Sequence, residues 1–353
     1  MEDIIEFLRK KKPLIDAAIR KVIPENIGRD YAEWAFGKPR YEYDLESLTK
    51  SLSEPIWDLL NRGGKRWRPA LFLLLSEMLG ADPAKLIDFA AIPELIHNGT
   101  LCVDDVEDLG ELRRGKPCVH KVYGQDVAIN TGNFMYYIPL LTIMKSREID
   151  DRTRNRAYEA YIEEMINVSV GQALDIWWHK GKAGSVTEKQ YLQMCAYKTG
   201  TLARLAARLA AILAGAPGET EALLGRLAES LGVGFQIQDD VLSAIQGEFT
   251  EKKGYGDDIT EGKRSLIVIH SLTHAPEEER KELLEILNKH TRDPKLIARA
   301  LEILNKNGSV DYAREFSKKL IKDAWKEAEP KLPDNPAKKM LESFMNFAIT
   351  REI

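Results

Sequence analysis

The sequence predicts an all-α protein, built as a single large helical bundle around a central cavity. Apolar residues recur every three or four positions through most of its 353 residues, a spacing that places them on one face of a helix. No segment alternates apolar and polar residues as a half-buried strand does, and no low-complexity linker or fixed-period repeat divides the chain. We therefore expect one domain over residues 1–353, with an N-terminal helix and aromatic segment (1–44) before the main helical bundle (45–353).

The elements follow from this spacing in chain order. Residues 1–23 have the pattern of an amphipathic helix. Residues 29–43 contain several aromatic side chains without a helical period, and we expect an irregular segment that packs as a flap or a dimer contact. Helical spacing resumes over 45–60 and stops at Gly63-Gly64. Beyond this pair the pattern predicts helices at about 69–80, 83–108, 119–145, 150–180, 187–214, 218–247, 261–273, 276–290, 293–306, 308–329 and 334–351.

Composition excludes several classes of protein. A net charge of −4 gives no electrostatic reason to expect nucleic-acid binding. Three widely spaced cysteines (Cys102, Cys118 and Cys195) fit a reducing compartment and do not form a zinc motif. The N-terminus lacks the apolar core of a signal peptide, and the most apolar segment, 70–75, is too short to cross a membrane. We expect a cytoplasmic protein without a transmembrane segment.

A first acidic cluster (Asp104, Asp105, Glu107 and Asp108) follows an apolar helical run. Asp104 and Asp108 are four residues apart, so their carboxylates lie on one face of a helix. Such carboxylates repel each other unless they share a cation, and Mg²⁺ prefers oxygen ligands and phosphate oxygens. With the cationic block at 113–116, this pattern indicates a ligand with a diphosphate head and a hydrocarbon tail. The alternative is a solvated helix face.

A second acidic pair, Asp239-Asp240, also ends an apolar helical run. Burying adjacent acids is costly without a cation, so a metal is the economical explanation. If the two acidic faces lie opposite each other, they could hold Mg²⁺ ions with a diphosphate between them. A solvated helix end is the alternative.

Basic residues fall into two groups. The block Gly63–Pro69 places cations just before a helix, where backbone N–H groups also favour an anion. The block lacks the spacing of a P-loop, and no Ser/His/Asp or Cys/His arrangement indicates nucleophilic catalysis. His97, seven residues before Asp104, is either a core residue or a hydrogen-bond donor to phosphate. The second group is Lys198, beside Thr199, with Lys253 and Lys263.

Taken together, these blocks resemble the trans-type isoprenyl diphosphate synthases, most closely the geranylgeranyl diphosphate synthases. The matching blocks are GGKRWRP (63–69), ELIHNGTLCVDDVEDLGELRRGKPCVH (94–120), GQALD (171–175), KTG (198–200), FQIQDD (235–240) and GYGDDITEGK (254–263). The resemblance implies the isoprenoid synthase fold and a Mg²⁺-dependent prenyltransferase. The implied reaction condenses isopentenyl diphosphate with dimethylallyl, geranyl or farnesyl diphosphate.

The resemblance also implies a role for each matching residue. The implied ligands of Mg²⁺ are Asp104, Asp108 and Asp239, supported by Asp105 and Asp240. The diphosphate of the allylic substrate would be held by Arg113, Lys198 and Lys253, with Lys263 nearby. Isopentenyl diphosphate would be bound by Lys65, Arg68, His97 and Arg114. Thr199 and Gln236 would direct oxygen dipoles at the allylic cation, in a cavity that Gln172 and Asp175 also line.

Product length would be set by the residues that limit the hydrocarbon tail. Gly99 and Thr100 are small and would leave the pocket open, so Phe134, Tyr136 and Tyr137 are the next candidate floor. This arrangement favours geranylgeranyl diphosphate, with farnesylgeranyl or hexaprenyl diphosphate as the alternative. Many members of the family carry a third aspartate where this chain has Ser243, so we assign that position no metal role.

Two other functions remain open at this point. A terpene cyclase shares the fold but does not need the implied isopentenyl diphosphate site. A non-catalytic subunit that binds prenyl diphosphates would tend to have degraded acidic motifs, whereas here they are intact. The resemblance further implies a homodimer, and a lipid product suggests delivery at a membrane surface.

Overall fold

The computed structural model describes residues 4–245 and 256–350. The protein is 78% helical, which confirms the all-α prediction. The helices of the first half are Ile4–Val22 (α1), Arg29–Phe36 (α2), Leu45–Leu48 (α3), Glu54–Asn61 (α4), Trp67–Met78 (α5), Pro83–Leu86 (α6), Ala91–Glu107 (α7), Val119–Tyr123 (α8), Gln125–Tyr137 (α9), Leu140–Lys145 (α10) and Asp151–His179 (α11). Those of the second half are Glu188–Cys195 (α12), Thr201–Leu213 (α13), Gly218–Ser243 (α14), Asp257–Thr260 (α15), Leu266–His274 (α16), Glu277–Asn288 (α17), Pro294–Lys306 (α18), Ser309–Ala328 (α19) and Pro336–Thr350 (α20).

Short irregular elements interrupt several of the predicted helices. Turns of 3₁₀-helix occupy Ile87–Ala90 and Glu329–Lys331, and π-helical turns occupy Thr49–Ser53 and Ala196–Gly200. The helix predicted over 119–145 is divided at Gly124, whose φ of 97° does not fit a helix. The segment 29–43 contains α2, so the expectation of a wholly irregular segment is wrong. Tyr31, Trp34 and Phe36 lie in this helix, whereas Tyr41 and Tyr43 follow it.

A two-stranded hairpin follows the first acidic cluster. Leu112–Arg113 (β1) pairs antiparallel with Lys116–Pro117 (β2). Arg114 and Gly115 form its turn, with φ of 56° and 75°. Two residues in each strand are too few to show an alternating pattern, so the sequence did not predict this hairpin.

The chain divides into two compact units. Unit 1 comprises Met1–Ile162, Leu205–Ala222 and Pro333–Leu341. At its centre residues 70–75 of α5 are at most 2% exposed, and this helix packs against α1 and α7. Helix α7 also packs closely along α9, so the acidic end of α7 extends from a rigid core.

Unit 2 comprises Glu163–Arg204, Leu223–Leu332 and Glu342–Ile353. Its core is organised on α16, where residues 266–269 are buried. This helix contacts α12, α17, α18 and α19 and is apolar on every side, as expected for a helix at the centre of a bundle. The prediction of one domain over the whole chain stays a prediction.

One stretch, Pro83–Glu107, is long and apolar enough to cross a membrane by length and composition alone. No such stretch is predicted from the sequence. In the folded chain 67% of its most apolar window is buried, which is typical of a core helix.

Candidate active site

The first acidic cluster forms the C-terminal end of α7 in unit 1. The Asp108 backbone N–H donates to the Asp104 carbonyl oxygen at 2.8 Å, so the two residues are one helical turn apart, as predicted. The negative end of the helix dipole adds to the repulsion among the carboxylates here. The cluster therefore needs positive charge from basic side chains or from bound cations.

Arg113, from strand β1, supplies part of this charge. Its Nε donates to Asp105 Oδ1 at 2.9 Å, and a second N–H reaches the same oxygen. Its guanidinium also lies 3.9 Å from Asp104 Oδ2. Burial alone would lower the pKa of Arg113, but the carboxylates of Asp105 and Asp104 more than offset burial and raise it. Asp105 is only 2% exposed, so Arg113 contacts the cluster on its buried side.

The oxygen donors of this cluster suit a hard cation. Its ligands are carboxylates alone, which favours Mg²⁺ or Ca²⁺ over a transition metal. Within the described residues, no three histidine, cysteine or acidic side chains are grouped so as to hold a metal ion by themselves. Mg²⁺ usually takes one or two carboxylates and completes its shell with water and substrate phosphate.

A second feature of unit 1 is a concentration of cations around His97. Burial and the charges of Arg68 and Arg114 hold the pKa of His97 well below its ordinary value. Burial likewise lowers the pKa of Arg114 to about 10. Arg68 is 7% exposed and lies over the Trp67 ring, whereas Lys65 is exposed. A neutral imidazole among arginines can donate one hydrogen bond to an anion that these cations attract.

Arg66, between Lys65 and Trp67, also lowers the pKa of His97, but it is paired inside the protein. It is 3% exposed, and its guanidinium pairs with Asp16 and Glu94, each at 2.9 Å. The sequence had suggested that Lys65, Arg66 and Arg68 all favour an anion. In the structure the Arg66 guanidinium binds protein carboxylates instead. An arginine inside a basic motif gives no sequence signal of its partner.

In unit 2 the second acidic pair is held by neutral donors. Tyr191 donates to Asp240 Oδ2 at 2.7 Å, and the Gln236 amide donates to Asp240 Oδ1 at 2.9 Å. Burial and the charge of Asp258 together raise the pKa of Asp240 to about 7. Asp239 is half-buried, and the Ser243 hydroxyl donates to its carbonyl oxygen at 3.0 Å.

Lys198 and Thr199 lie in the π segment, which we define as residues Ala196–Gly200. Lys198 Nζ lies 2.5 Å from Asp175 Oδ2, and the Thr199 hydroxyl donates to Gln236 Oε1 at 2.8 Å. A π-helical turn inside an α-helix is rare and frequent at functional sites. The structure thus connects four residues that the sequence analysis had singled out, Lys198 with Asp175 and Thr199 with Gln236.

Glycines allow neighbouring helices to approach the π segment. A Cβ on Gly171 of α11 would lie 2.3 Å from the Lys198 backbone nitrogen, and one on Gly232 of α14 would lie 2.8 Å from Gly200 Cα. Neither contact is compatible with a side chain at these positions. The glycine of the GQALD block is therefore needed for the close packing of α11 against the π segment.

Lys263, Gln172 and Lys253 are the remaining predicted residues of unit 2. Lys263 Nζ lies 3.3 Å from Asp258 Oδ1 and also pairs with Glu261. Gln172 is half-buried on α11. Lys253 lies outside the described residues. The arrangement of the two acidic sites relative to each other stays a prediction, because each is described within its own unit.

The candidate chain-length residues differ in their surroundings. A Cβ on Gly99 would lie 2.9 Å from the Gly132 carbonyl oxygen and 3.1 Å from the Tyr136 ring. Gly99 must therefore be small for α7 to cross α9, whether or not it limits the product. The Thr100 hydroxyl donates to the His97 carbonyl oxygen at 2.8 Å. Phe134 packs edge-on against Phe36 of α2.

Tyr137 is the exception among these residues. It is 68% exposed, so a place in the floor of an internal pocket of this chain is wrong for it. Burial raises the pKa of its neighbour Tyr136. Consecutive helical residues project about 100° apart, so the two tyrosines face different surroundings.

Two buried residues of these sites were missed from the sequence. Tyr191 is 1% exposed and holds Asp240, yet it occupies an ordinary apolar position of α12. Glu94 is 3% exposed and lies three residues before His97. An acid in the apolar run of α7 was a signal for a buried cationic partner.

Comparison with known proteins supports the resemblance. The family model described as polyprenyl synthetase matches residues 49–304. The chain is a member of the polyprenyl synthetase family. As such it is a prenyltransferase, of the trans-prenyl diphosphate synthase type, with the all-α isoprenoid synthase fold.

Individual relatives of this family member differ in their products. It is 31% identical over 352 residues to a short chain isoprenyl diphosphate synthase of Methanothermobacter thermautotrophicus, covering 100% of both chains. It is 33% identical to a geranylfarnesyl diphosphate synthase of Aeropyrum pernix, over 88% of this chain and 98% of that one. A crystal structure of geranylgeranyl pyrophosphate synthetase from Pyrococcus horikoshii matches with a TM-score of 0.85 and 32% identity, covering 99% and 98% of the two chains.

Proposed function

We propose that this prenyltransferase condenses isopentenyl diphosphate with an allylic diphosphate and makes all-trans geranylgeranyl diphosphate. The observation that carries the proposal is the cationic group around His97, in the same unit as the first acidic cluster. A reaction between two diphosphate substrates needs two anion sites. Arg113 belongs to the acidic cluster, while Arg68, Arg114 and neutral His97 provide the second site.

The first step breaks the bond between C1 of the allylic substrate and its diphosphate, and both electrons leave on oxygen. Arg113 would hold the departing diphosphate by charge-assisted hydrogen bonds, and the resemblance implies the same role for Lys198. Asp104, Asp108 and Asp239 would hold Mg²⁺, which would neutralise the leaving oxygens. Asp105 accepts hydrogen bonds from Arg113, and Asp240 accepts them from Tyr191 and Gln236, so both carboxylates are fixed beside the ligands that we assign.

The allylic cation then needs oxygen dipoles and protection from water. The Thr199 hydroxyl has its hydrogen committed to Gln236, so this oxygen presents only lone pairs to any further neighbour. The Gln236 amide is fixed by Asp240 on its other side. These bonds orient both groups before the substrate arrives, which is what electrostatic stabilisation of a cation requires.

The second substrate supplies the electrons for the new bond. Lys65, Arg68, His97 and Arg114 bind the diphosphate of isopentenyl diphosphate. Its double bond attacks C1 of the allylic cation, and a proton is then lost to the departing diphosphate. No base from the protein is needed for that step.

We assign geranylgeranyl diphosphate as the product because of the position of Tyr136. This residue lies on α9, beside the Gly99–Gly132 crossing. A floor one helical turn deeper would admit roughly one more isoprene unit, because a turn rises about 5.4 Å. Geranylfarnesyl diphosphate is therefore the alternative product, and it is the product named for the Aeropyrum pernix relative.

Incubation with radiolabelled isopentenyl diphosphate tests the proposal. Dimethylallyl, geranyl and farnesyl diphosphate serve as alternative primers, and chromatography of the products gives their length. We expect label in a C20 product with each primer and loss of turnover when Mg²⁺ is chelated. A terpene cyclase would form product without incorporating label, and a non-catalytic subunit would form none.

We further propose that the protein is a homodimer. Helix α11 exposes Ile166, Val170 and Trp177, by 59%, 42% and 54%, at positions that share one face of the helix. A row of exposed apolar side chains favours a protein partner. If the wild type sediments as a monomer at micromolar concentration, the proposed homodimer is excluded.

A further inference from the structure

Arg66 occupies a strained backbone position with its side chain turned into the protein. Its φ of 52° and ψ of 35° are left-handed, an unusual conformation for a residue with a Cβ. Gly63 and Gly64 before it also have positive φ, 114° and 118°. A chain that bends in this way must be held by side-chain contacts, and Arg66 provides them.

The guanidinium of Arg66 is almost completely engaged. Nε donates to Asp16, one terminal nitrogen donates to Glu94 and to the Gly63 carbonyl oxygen at 3.2 Å, and the other donates to the Leu60 carbonyl oxygen at 3.0 Å. Four of its five N–H donors are therefore used inside the protein. Burial would lower the pKa of Arg66, but Glu94 and Asp16 raise it, so the group stays charged.

Two of these bonds, those to the Gly63 carbonyl oxygen and to Glu94, lead toward residues that we assign to isopentenyl diphosphate. The Gly63 carbonyl oxygen also accepts a hydrogen bond from Arg114 at 2.9 Å. A Cβ on Gly64 would lie 2.9 Å from the Arg66 guanidinium and 3.5 Å from that of Arg114, so the two guanidiniums pack against the same glycine.

The bond to Glu94 leads to helix α7. Glu94 Oε1 also accepts from the Asn98 amide at 3.0 Å, and Asn98 is fully buried. Glu94 and Asn98 flank His97 by three residues and one, so they fix the turn of helix from which His97 projects.

We propose that Arg66 is a positioning residue for the isopentenyl diphosphate site, acting through Gly63 on Arg114 and through Glu94 on His97. This inference rests on the proposed function. It assigns Arg66 no contact with substrate, since the side chain is buried and four of its five donors are already occupied. The effect of removing it should therefore fall on one substrate, although no substrate-binding group has been removed.

Steady-state kinetics with each substrate varied in turn tests the assignment. In Arg66→Met we expect KM for isopentenyl diphosphate to rise about tenfold or more, as for loss of a hydrogen bond between charged groups. KM for farnesyl diphosphate should stay within about twofold. Titration calorimetry with isopentenyl diphosphate should show the same weakening without turnover. An unchanged affinity for isopentenyl diphosphate, or equal increases in both KM values, would overturn the proposal.

A matched control is Arg154→Met in the same unit. Arg154 also caps backbone carbonyls, those of Ile143 and Met144 at 2.9 Å each, but contacts no residue of the predicted site. We expect it to lower thermal stability without separating the two KM values. A selective rise in KM for isopentenyl diphosphate in this control would also count against a specific role for Arg66.

Glu94→Gln provides a second route if Arg66→Met does not fold. It should reproduce the selective rise in KM. The double variant should be no worse than the more affected single variant, because both single variants alter the same Arg66–Glu94 ion pair. Additive effects would overturn the link through Glu94. Wild-type turnover is measured first, so failure of the proposed function appears as absence of product and removes this proposal with it. An active wild type whose variants lack selectivity removes the positioning role alone.

Discussion

Gly171→Ala tests directly whether helix α11 sets the position of the π segment. The new Cβ would lie 2.3 Å from the Lys198 backbone nitrogen and 2.7 Å from Lys198 Cα. Ordinary contact begins at 3.4 Å, so the helix and the segment must separate by about 1 Å. Both neighbours are backbone atoms, and no side-chain rotation can relieve the contact.

We expect Gly171→Ala to lower the reaction rate strongly and the stability moderately. A displacement of about 1 Å in a group that acts on the reacting atoms lowers the rate by roughly 100-fold. That factor corresponds to about 2.7 kcal/mol of transition-state stabilisation. Overpacking of the contact should reduce the free energy of unfolding by about 1–3 kcal/mol, partly offset by the better helix propensity of alanine.

The assay is kcat/KM for the allylic substrate, measured beside the denaturant unfolding curve. Gly184→Ala is the matched control in unit 2, because a Cβ there meets no atom within 4 Å. We expect the control to behave as the wild type. If Gly171→Ala folds and keeps its allylic kcat/KM within about threefold of the wild type, then the glycine does not position Lys198 and Thr199.

Three further predictions concern product length, the buried tyrosine and the metal. Tyr136→Ala should lengthen the product by about one isoprene unit, whereas the exposed Tyr137 replaced by alanine should leave it unchanged; chromatography of both products decides this. Tyr191→Phe removes the hydroxyl that donates to Asp240 and should lower the free energy of unfolding by about 1–3 kcal/mol, measured with urea. Mg²⁺ together with inorganic diphosphate should raise the melting temperature more than either alone, because each supplies charge that the other lacks; equal shifts from diphosphate alone would contradict this.

The helical architecture was predictable because amphipathic spacing is a local property of the sequence. The breaks were less predictable. The π segment depends on close approach of Gly171 and Gly232, which belong to other helices, so no local pattern announces it. The hairpin at Arg114 is too short to show a period.

The candidate site was predictable to the extent that its residues stand in motifs. The pairing of Thr199 with Gln236 is consistent with the roles that the resemblance implied. Tyr191 could not be found, since one buried tyrosine in an apolar helix face resembles any other core residue. The assignment of Tyr137 failed because adjacent positions on a helix face different surroundings, and periodicity alone does not tell which one is buried.

Helix α7 explains why the two sites of unit 1 depend on one element. Glu94 lies in its first turn, His97 follows, and Asp104 and Asp108 end it. His97 and Asp104 are seven residues apart, or about 10 Å along the axis. Two diphosphates held at these positions would keep a constant separation, which bond formation between the substrates requires. The tight crossing at Gly99 supports the helix between them, so a change there should disturb both substrates, whereas a change at either end should disturb one.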